Sequence, residues 1–350
     1  MNKNKKRLLH TISKVLLGAL IGFVVFNVIV ISGIAIYNKS QLKKEAQYLQ
    51  EPGRLYSING HSMHIYETGN LEAEHTLLFM HGTMGADSVV SLRPLFDKLR
   101  EDYHLVYIDR AGNGYSDVTD VSRDVDTMLS ETRALLAAAG IEGPFVLVPY
   151  YSAGMEALYW YQTYPEEVHS IVGIDMTYPA KYQAYQDNWD ISGVSKMFNM
   201  FCKIGGQRLI TIAYPTNEFG LYTEKEMLTR NALISKYGYT DNMYNEDCMI
   251  YENAKSVGLE YFPTELPMLQ LVSNKAMEPY LSTDEELQEQ IENAKETNPD
   301  LDPVKMYNEG IVTYFAQFDN VDCVELAGPT ELYEYCPEKV AEEIVRFLGE

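Results

Sequence analysis

The second half of this chain lacks histidine. All seven histidines of the 350-residue sequence lie at or before His169, so the 181 residues that follow contain none. Imidazole is the most common proton acceptor in enzymes that activate a nucleophile. A catalytic site that takes a histidine base from the second half is therefore excluded. None of the seven shows metal-ligand spacing with a cysteine or an acid, so we expect neither a metal nor a cofactor.

Positive charge is scarce and unevenly placed. The chain has 28 Lys and Arg against 50 Asp and Glu, a formal charge of −22. Residues 1–44 hold eight basic residues and no acid, which leaves 20 basic and 50 acidic residues in 45–350. Such an acidic domain repels phosphate backbones, so nucleic acid is excluded as a partner.

Long apolar runs are absent outside residues 15–37, where only Asn27 and Ser32 are polar. About 20 helical residues cross the hydrocarbon core of a bilayer. Because the preceding residues are rich in Lys and Arg, the N-terminus is predicted to stay in the cytoplasm. A cleaved signal peptide ending near Gly33-Ile34-Ala35 is the alternative, although its apolar region is usually shorter, about 7–15 residues.

These features predict a single-pass protein of the cell membrane. Residues 1–14 form a basic cytoplasmic N-terminus, 15–37 a transmembrane helix and 38–53 a stalk, and the domain at 54–350 is extracytoplasmic. Cysteine is limited to Cys202, Cys248, Cys323 and Cys336. An extracytoplasmic location permits disulfides, and Cys323 and Cys336 flank a short loop, but we favour buried free thiols.

Short apolar runs alternate with amphipathic helices along the domain, which is typical of a parallel sheet with crossover helices. A hairpin is expected at 54–67, around Gly60-His61. The later strands are predicted at 76–80, 104–108, 145–148, 170–175, 268–272 and 321–326, and the helices at 92–99, 124–139, 153–164, 282–295, 303–318 and 338–348. The fold class is therefore α/β, with a mostly parallel eight-stranded sheet.

Three motifs follow three of these strands. They are His81-Gly82-Thr83-Met84-Gly85, the stretch Asp109–Asp117, and Tyr150-Tyr151-Ser152-Ala153-Gly154. In this order they resemble the α/β-hydrolase family of the single-domain esterase and proline-iminopeptidase type. The resemblance covers 54–350 and implies a helical cap at about 178–263. It also implies a catalytic serine, then an acid, then a histidine in chain order.

Two residues compete for the nucleophile position. Alignment on Tyr164-Pro165-Glu166 places Tyr151 there, and Ser152 follows it. A sharp turn centred on Tyr151 would have compact neighbours, Pro149 and Ala153, two residues to each side. The alternative centres the turn on Ser152, as in a Gly-x-Ser-x-Gly motif that has lost its first glycine.

The other two members of the triad are also missing. Alignment places Ala276 at the acid position, with Glu278 nearby, and Thr330 at the histidine position. Thr330 cannot accept a proton at neutral pH. The backbone N–H groups of Thr83 and Ser152 correspond to the family's oxyanion donors and survive any side-chain change.

We therefore expect a protein without the catalytic triad that binds a small ligand or a partner protein at the membrane. An active serine hydrolase that uses Ser152 with a non-standard base, His81, is the alternative. If that pair does not form, His81 is expected to bond to backbone and hold its loop. A structural subunit that supports an active paralogue is a third hypothesis.

Overall fold

The N-terminal apolar run lies in one long helix, α1 (Lys3–Glu45), in a computed structural model that describes residues 3–83, 85–185, 192–213, 220–274 and 310–349. The most apolar 18-residue window of this helix has a mean hydropathy of 2.7 and buries nothing against the rest of the protein. Within the described ranges it is the one helix long and apolar enough to cross a membrane. The helix continues to Glu45 through part of the predicted stalk, and a short 3-10 turn (Ala46–Tyr48) follows.

The domain is built on an eight-stranded sheet. Its strands are β1 (Arg54–Ile58), β2 (His61–Gly69), β3 (Thr76–Met80), β4 (His104–Asp109), β5 (Phe145–Pro149), β6 (Val168–Ile174), β7 (Met268–Ser273) and β8 (Val321–Leu326). They lie in the order β1-β2-β4-β3-β5-β6-β7-β8. The pairs β1–β2 and β2–β4 are antiparallel, and the six strands β3 to β8 are parallel to one another. The predicted eight-stranded, mostly parallel sheet is confirmed.

Both faces of the sheet are buried. Leu78 and Leu147 pack into one apolar core, while Leu77 and Val146, their neighbours in sequence, pack into the other. Successive side chains of a strand point to opposite faces, so the near-continuous apolar runs of β3 and β5 fit a sheet covered on both sides.

Helices cover these two faces and form a cap. The helices of the body are α2 (Arg93–Leu99), α3 (Val125–Ala139), α4 (Ala153–Thr163), α9 (Leu332–Tyr335) and α10 (Pro337–Leu348). The cap helices are α5 (Ser192–Lys203), α6 (Gln207–Ala213), α7 (Glu224–Tyr237) and α8 (Asp241–Val257). The predicted helix at 282–295 lies outside the described residues, and of the one at 303–318 only the part from 310 is described, helical over 310–315.

Local sequence explains the ends of α3. The Asp124 carboxylate accepts the Thr127 N–H at 2.9 Å and caps the first turn. The helix ends at Gly140, which has a φ of 73°. Glycine favours this left-handed conformation because it has no Cβ.

Buried ion pairs fasten the cap to the body. Arg230 on α7 bonds to Asp87, which follows β3, at 2.8 Å and to Glu334 on α9 at 2.6 Å. A second cluster joins Arg110, which follows β4, to Glu156 on α4 and to Glu246 on α8. These charges are desolvated, and each has an opposite charge within hydrogen-bond distance, as burial requires.

The cap also contacts α1. Arg208 on α6 donates to Asn38 at 2.7 Å and pairs with both carboxylate oxygens of Glu45, at 2.7 and 2.6 Å. Gly205, between α5 and α6, lies so close that a Cβ there would be 2.4 Å from the Asn38 Cβ. The cap is therefore packed against the helix just beyond its apolar run.

All four cysteines lie in the described residues as free thiols. Cys248 on α8 is exposed, and the other three are half-buried. Burial raises the pKa of Cys323 and of Cys336 to about 11.

Candidate functional site

Tyr151 occupies the turn between β5 and α4. Its φ is 50°, a left-handed conformation that bulky residues rarely adopt. Its N–H donates to the Ile174 carbonyl at 3.3 Å, and its own carbonyl accepts the Thr177 N–H at 3.0 Å. Its side chain is 38% exposed. The sharp strand-to-helix turn is thus centred on Tyr151, and Ser152 is the N-cap residue of α4.

Two glycines allow the backbone to pack closely around this turn. A Cβ at Gly154 would lie 2.3 Å from the Thr177 carbonyl oxygen. The start of α4 can therefore pack this closely against the segment after β6 only with glycine at this position. A Cβ at Gly82 would lie 2.5 Å from the Ser152 Oγ. The loop after β3 therefore rests directly on the start of α4.

The Ser152 hydroxyl is buried and already has a partner. The Thr83 N–H donates to the Ser152 Oγ at 3.1 Å. Thr83 is one of the two residues whose backbone N–H is predicted to match an oxyanion donor of the family. A ligand oxygen could use this N–H only by displacing the Ser152 hydroxyl.

His81 is buried behind the turn, between aromatic rings. Its Nδ1 lies 3.2 Å from the Gly82 carbonyl oxygen and its Nε2 lies 3.5 Å from the Tyr333 hydroxyl. Its ring centroid is 4.9 Å from that of Tyr150. Because a carbonyl can only accept, we assign the proton to Nδ1, which leaves Nε2 facing the Tyr333 hydroxyl. Among the described residues no hydrogen bond joins His81 to Ser152.

Burial also sets the protonation states of this aromatic cluster. Desolvation lowers the pKa of His81, so its imidazole is neutral at neutral pH. Burial raises the pKa of both Tyr150 and Tyr333, whose phenols stay protonated. The cluster is therefore uncharged.

Thr330 lies near Tyr150, the residue that precedes Tyr151. Its hydroxyl bonds to the Glu331 carboxylate at 3.0 Å. Its side chain also lies close enough to the Tyr150 phenol to oppose the rise in that group's pKa. It offers no basic nitrogen. Ala276 and Glu278, at and near the predicted acid position, lie outside the described residues.

Asp175 is a site residue that the sequence motifs do not indicate, because the apolar run before it predicts a strand that extends through this position. It follows β6 directly, with a φ of 44°. Its Oδ1 accepts the Ser273 N–H at 2.8 Å, and its Oδ2 is buried without a hydrogen-bond partner. Burial raises its pKa to about 8, with the Glu331 charge adding to the effect and Lys181 opposing it. A carboxylate directly after the strand beside β5 was the available signal.

A cation lies over Tyr151 on the exposed side of the turn. The Lys181 Nζ is 5.3 Å from the centroid of the Tyr151 ring, a cation–π distance. Together the carboxyl ends of β3, β5, β6 and β8 present phenols, carboxyl groups and one ammonium. These groups can hydrogen-bond or neutralise a ligand, but among the described residues no hydrogen bond joins Ser152 to an imidazole. No group of three metal-binding side chains occurs among them either.

A surface cavity of about 630 Å³ lies elsewhere, at the amino end of β5 and so at the opposite end of the parallel strands. It is lined by residues of α3 and of the start of β5, together with Trp160 and Glu167. It contacts none of the predicted site residues.

No family model matches the sequence. The uncharacterized protein YbdG of Bacillus subtilis (strain 168) is 29% identical over 350 residues, covering 97% of this chain and 99% of YbdG.

Solved structures with low sequence identity superpose on most of the chain. Epoxide hydrolase VrEH1 from Vigna radiata matches with a TM-score of 0.57 and 16% identity, over 84% of this chain and 97% of its own. Haloalkane dehalogenase DbeA from Bradyrhizobium elkani USDA94 matches with a TM-score of 0.53 and 15% identity, over 84% and 96%. Cfl2 from Burkholderia cenocepacia gives 0.56 and 16%, over 84% and 94%. With its strand order, its cap and the turn at Tyr151, the chain has the α/β-hydrolase fold.

Proposed function

We propose that this is a single-pass membrane protein whose extracytoplasmic α/β-hydrolase-fold domain binds a small ligand or a partner protein without hydrolysing it. The observation that carries the proposal is the side chain at the strand-to-helix turn. This turn presents the nucleophile in catalytic members of the fold, and here it presents a tyrosine, Tyr151.

The surroundings of Tyr151 support binding rather than hydrolysis. Ser152 is held by the Thr83 N–H, and both ring nitrogens of His81 face groups other than Ser152. Thr330 carries a hydroxyl where a hydrolase needs an imidazole. An exposed phenol, a lysine above it and the nearby carboxyl groups suit recognition of a polar ligand group.

The anchoring part of the proposal is supported by α1 and by the charge around it. The helix is apolar from residue 15 to 37 and basic before that run. Cytoplasmic flanks of membrane helices are enriched in Lys and Arg. This asymmetry favours a cytoplasmic N-terminus and an external domain.

An assay of ester hydrolysis by the purified full-length protein in detergent tests the proposal that the domain is not catalytic. We expect no turnover of short p-nitrophenyl esters above the rate of the Ser152→Ala variant, and no labelling of Ser152 by a fluorophosphonate probe. Both results would follow from a serine without a base. Ester hydrolysis that Ser152→Ala abolishes would overturn the proposal.

One observation favours the alternative, a hydrolase that uses Ser152 and His81. The buried His81 is neutral, which is the form that can accept a proton. Its ring would have to leave Tyr333 and turn toward Ser152. In that case His81→Asn and Ser152→Ala would each remove the activity, whereas Tyr333→Phe would preserve it.

A further inference from the structure

The cap carries a stripe of exposed apolar side chains on α5 and α6. Their exposed fractions are far above those of core residues: Val194 81%, Met197 72%, Met200 59%, Leu209 41% and Ile212 62%. Single exposed apolar residues are common on protein surfaces, but a contiguous group marks a contact with a partner or a membrane.

The stripe on α5 has helical spacing. Val194, Met197 and Met200 are three residues apart, so they lie along one side of the helix. The other side packs into the cap: Asn199 is 4% exposed, and the ring of Phe198 lies 5.4 Å from that of Tyr239. The helix is amphipathic, with its apolar stripe facing outward.

Two lysines border the stripe. Lys196 and Lys203 lie together on its edge, a quarter-turn or less from Met200, and both are exposed. The Lys203 ammonium pairs with Asp241 at 2.6 Å. Lysines in this position can lay their aliphatic stems along an apolar surface while the charged end stays at its polar border.

The turn between α5 and α6 lies where α1 leaves its apolar run. Asn38 is the first residue after that run, and it contacts Gly205 and accepts a hydrogen bond from Arg208. Since Gly205 joins the two helices, the stripe begins at the level of the membrane boundary set by α1.

We propose that the stripe formed by Val194, Met197, Met200, Leu209 and Ile212 lies in the interfacial layer of the bilayer that α1 crosses. The inference rests on the proposed anchoring by α1, which it extends with a second membrane contact. A lipid surface fits better than a second copy of the chain because the stripe is continuous with the end of the membrane span. Because the domain is acidic, apolar burial and not charge provides the attraction.

Tryptophan substitutions in the full-length protein test the contact. Met197→Trp places an indole in the stripe, and Ile29→Trp reports on the middle of α1. Leu71→Trp is the matched control, since Leu71 is 61% exposed and follows β2 at the point where β4 begins, at the amino ends of the parallel strands. Each variant is reconstituted in phosphatidylcholine nanodiscs with and without bromine on the acyl chains, and the signal of the unsubstituted protein is subtracted.

We expect bromine near the headgroup end of the chains to quench Met197→Trp, with a loss of fluorescence well above that of Leu71→Trp. Ile29→Trp should be quenched most by bromine deep in the chains. If Ile29→Trp is quenched and Met197→Trp is not, the inference is overturned and the anchor stands. Lack of quenching in both would overturn the anchor as well. Emission of Met197→Trp that shifts with protein concentration and is not quenched would assign the stripe to a second copy instead.

Discussion

Tyr151 keeps a backbone conformation that is unfavourable for its residue type. A positive φ costs a non-glycine residue about 1–3 kcal/mol. Tyr151 is more than one-third exposed, so burial of the residue does not explain the conformation. The turn instead connects β5 to α4, whose start is fixed by the contacts of Gly82 and Gly154. The positive φ is therefore set by the strand-to-helix turn itself, which has a tyrosine at its centre.

Substitutions at Tyr151 should follow the needs of the backbone. We expect Tyr151→Gly to leave the free energy of unfolding within about 1 kcal/mol of the original protein. Tyr151→Val should lower it by about 1–3 kcal/mol, because a β-branched side chain fits a positive φ poorly. Chemical denaturation in detergent measures both. Equal stability of the two variants would contradict a left-handed turn at this position.

Asp175 should make stability depend on pH. Its pKa is raised from 3.8 to about 8, so the folded protein holds this proton more tightly than the unfolded chain does. The stabilising effect is complete below about pH 4 and is lost as the pH rises through about 8. The shift sets an upper limit of about 6 kcal/mol, at about 1.4 kcal/mol per pKa unit.

Asp175→Asn should remove this dependence, because the amide keeps an oxygen for the Ser273 N–H and carries no charge. Thermal unfolding of both proteins from about pH 5 to about pH 9 provides the test. We expect the variant to be only slightly more stable at the acidic end, and its advantage in melting temperature to grow toward the alkaline end. A constant difference across the range would show that Asp175 titrates normally.

At the scale of elements, the cap helix α7 is held by a buried charge. Arg230 pairs with Asp87 and Glu334, and its guanidinium also lies 5.1 Å from the Tyr222 ring centroid. Despite this pairing, burial raises the pKa of Glu334 to about 7. Three elements that are distant in sequence therefore depend on one side chain.

Removing that side chain should cost much more than removing a surface charge. We expect Arg230→Met to lower the free energy of unfolding by about 3–5 kcal/mol, because two carboxylates lose their partner in a buried site. The control is Lys98→Met, which breaks the exposed pair between Lys98 and Glu338 and should cost less than about 1 kcal/mol. Similar losses in the two variants would show that the Arg230 cluster is solvated.

Elements with local signals were predictable from the sequence. Strand β3 and the ends of α3 follow from apolar runs, a capping aspartate and a glycine stop. The end of β6 was set one residue too far, which hid Asp175 in a strand. The continuation of α1 to Glu45 has no apolar periodicity to reveal it, since its contact is a charge pair with Arg208, 163 residues away.

The site was predictable only in part, because contacts between residues that are distant in sequence leave no local pattern. The motif located the turn at Tyr151, because the residues that form it are consecutive. The contacts between Tyr150 and Thr330 and between His81 and Tyr333 join residues that are far apart in the chain. No local pattern reports such pairs. The loss of catalysis at these positions stays a prediction.

At the scale of the whole molecule, the orientation in the membrane can be tested with a native thiol. Cys248 is exposed on α8, whereas Cys323 and Cys336 are half-buried and have pKa values raised to about 11. Protonated thiols react slowly with maleimides. We expect a membrane-impermeant maleimide to label the protein in intact cells, and Cys248→Ser to lose most of that label. Labelling that requires permeabilised cells would place the domain in the cytoplasm.

Because α1 continues without a break beyond its apolar run, it fixes how far the domain stands from the membrane. Residues 38–45 continue the helix beyond the apolar run and add about 12 Å, at about 1.5 Å per residue. Arg208 ties both ends of this segment to the cap, so it cannot act as a flexible tether. Once residues 15–37 lie in a bilayer, the domain is held at a fixed distance from the membrane surface and cannot move freely away from it. It can bind only ligands or partners that diffuse within the membrane or that approach the membrane surface from solution.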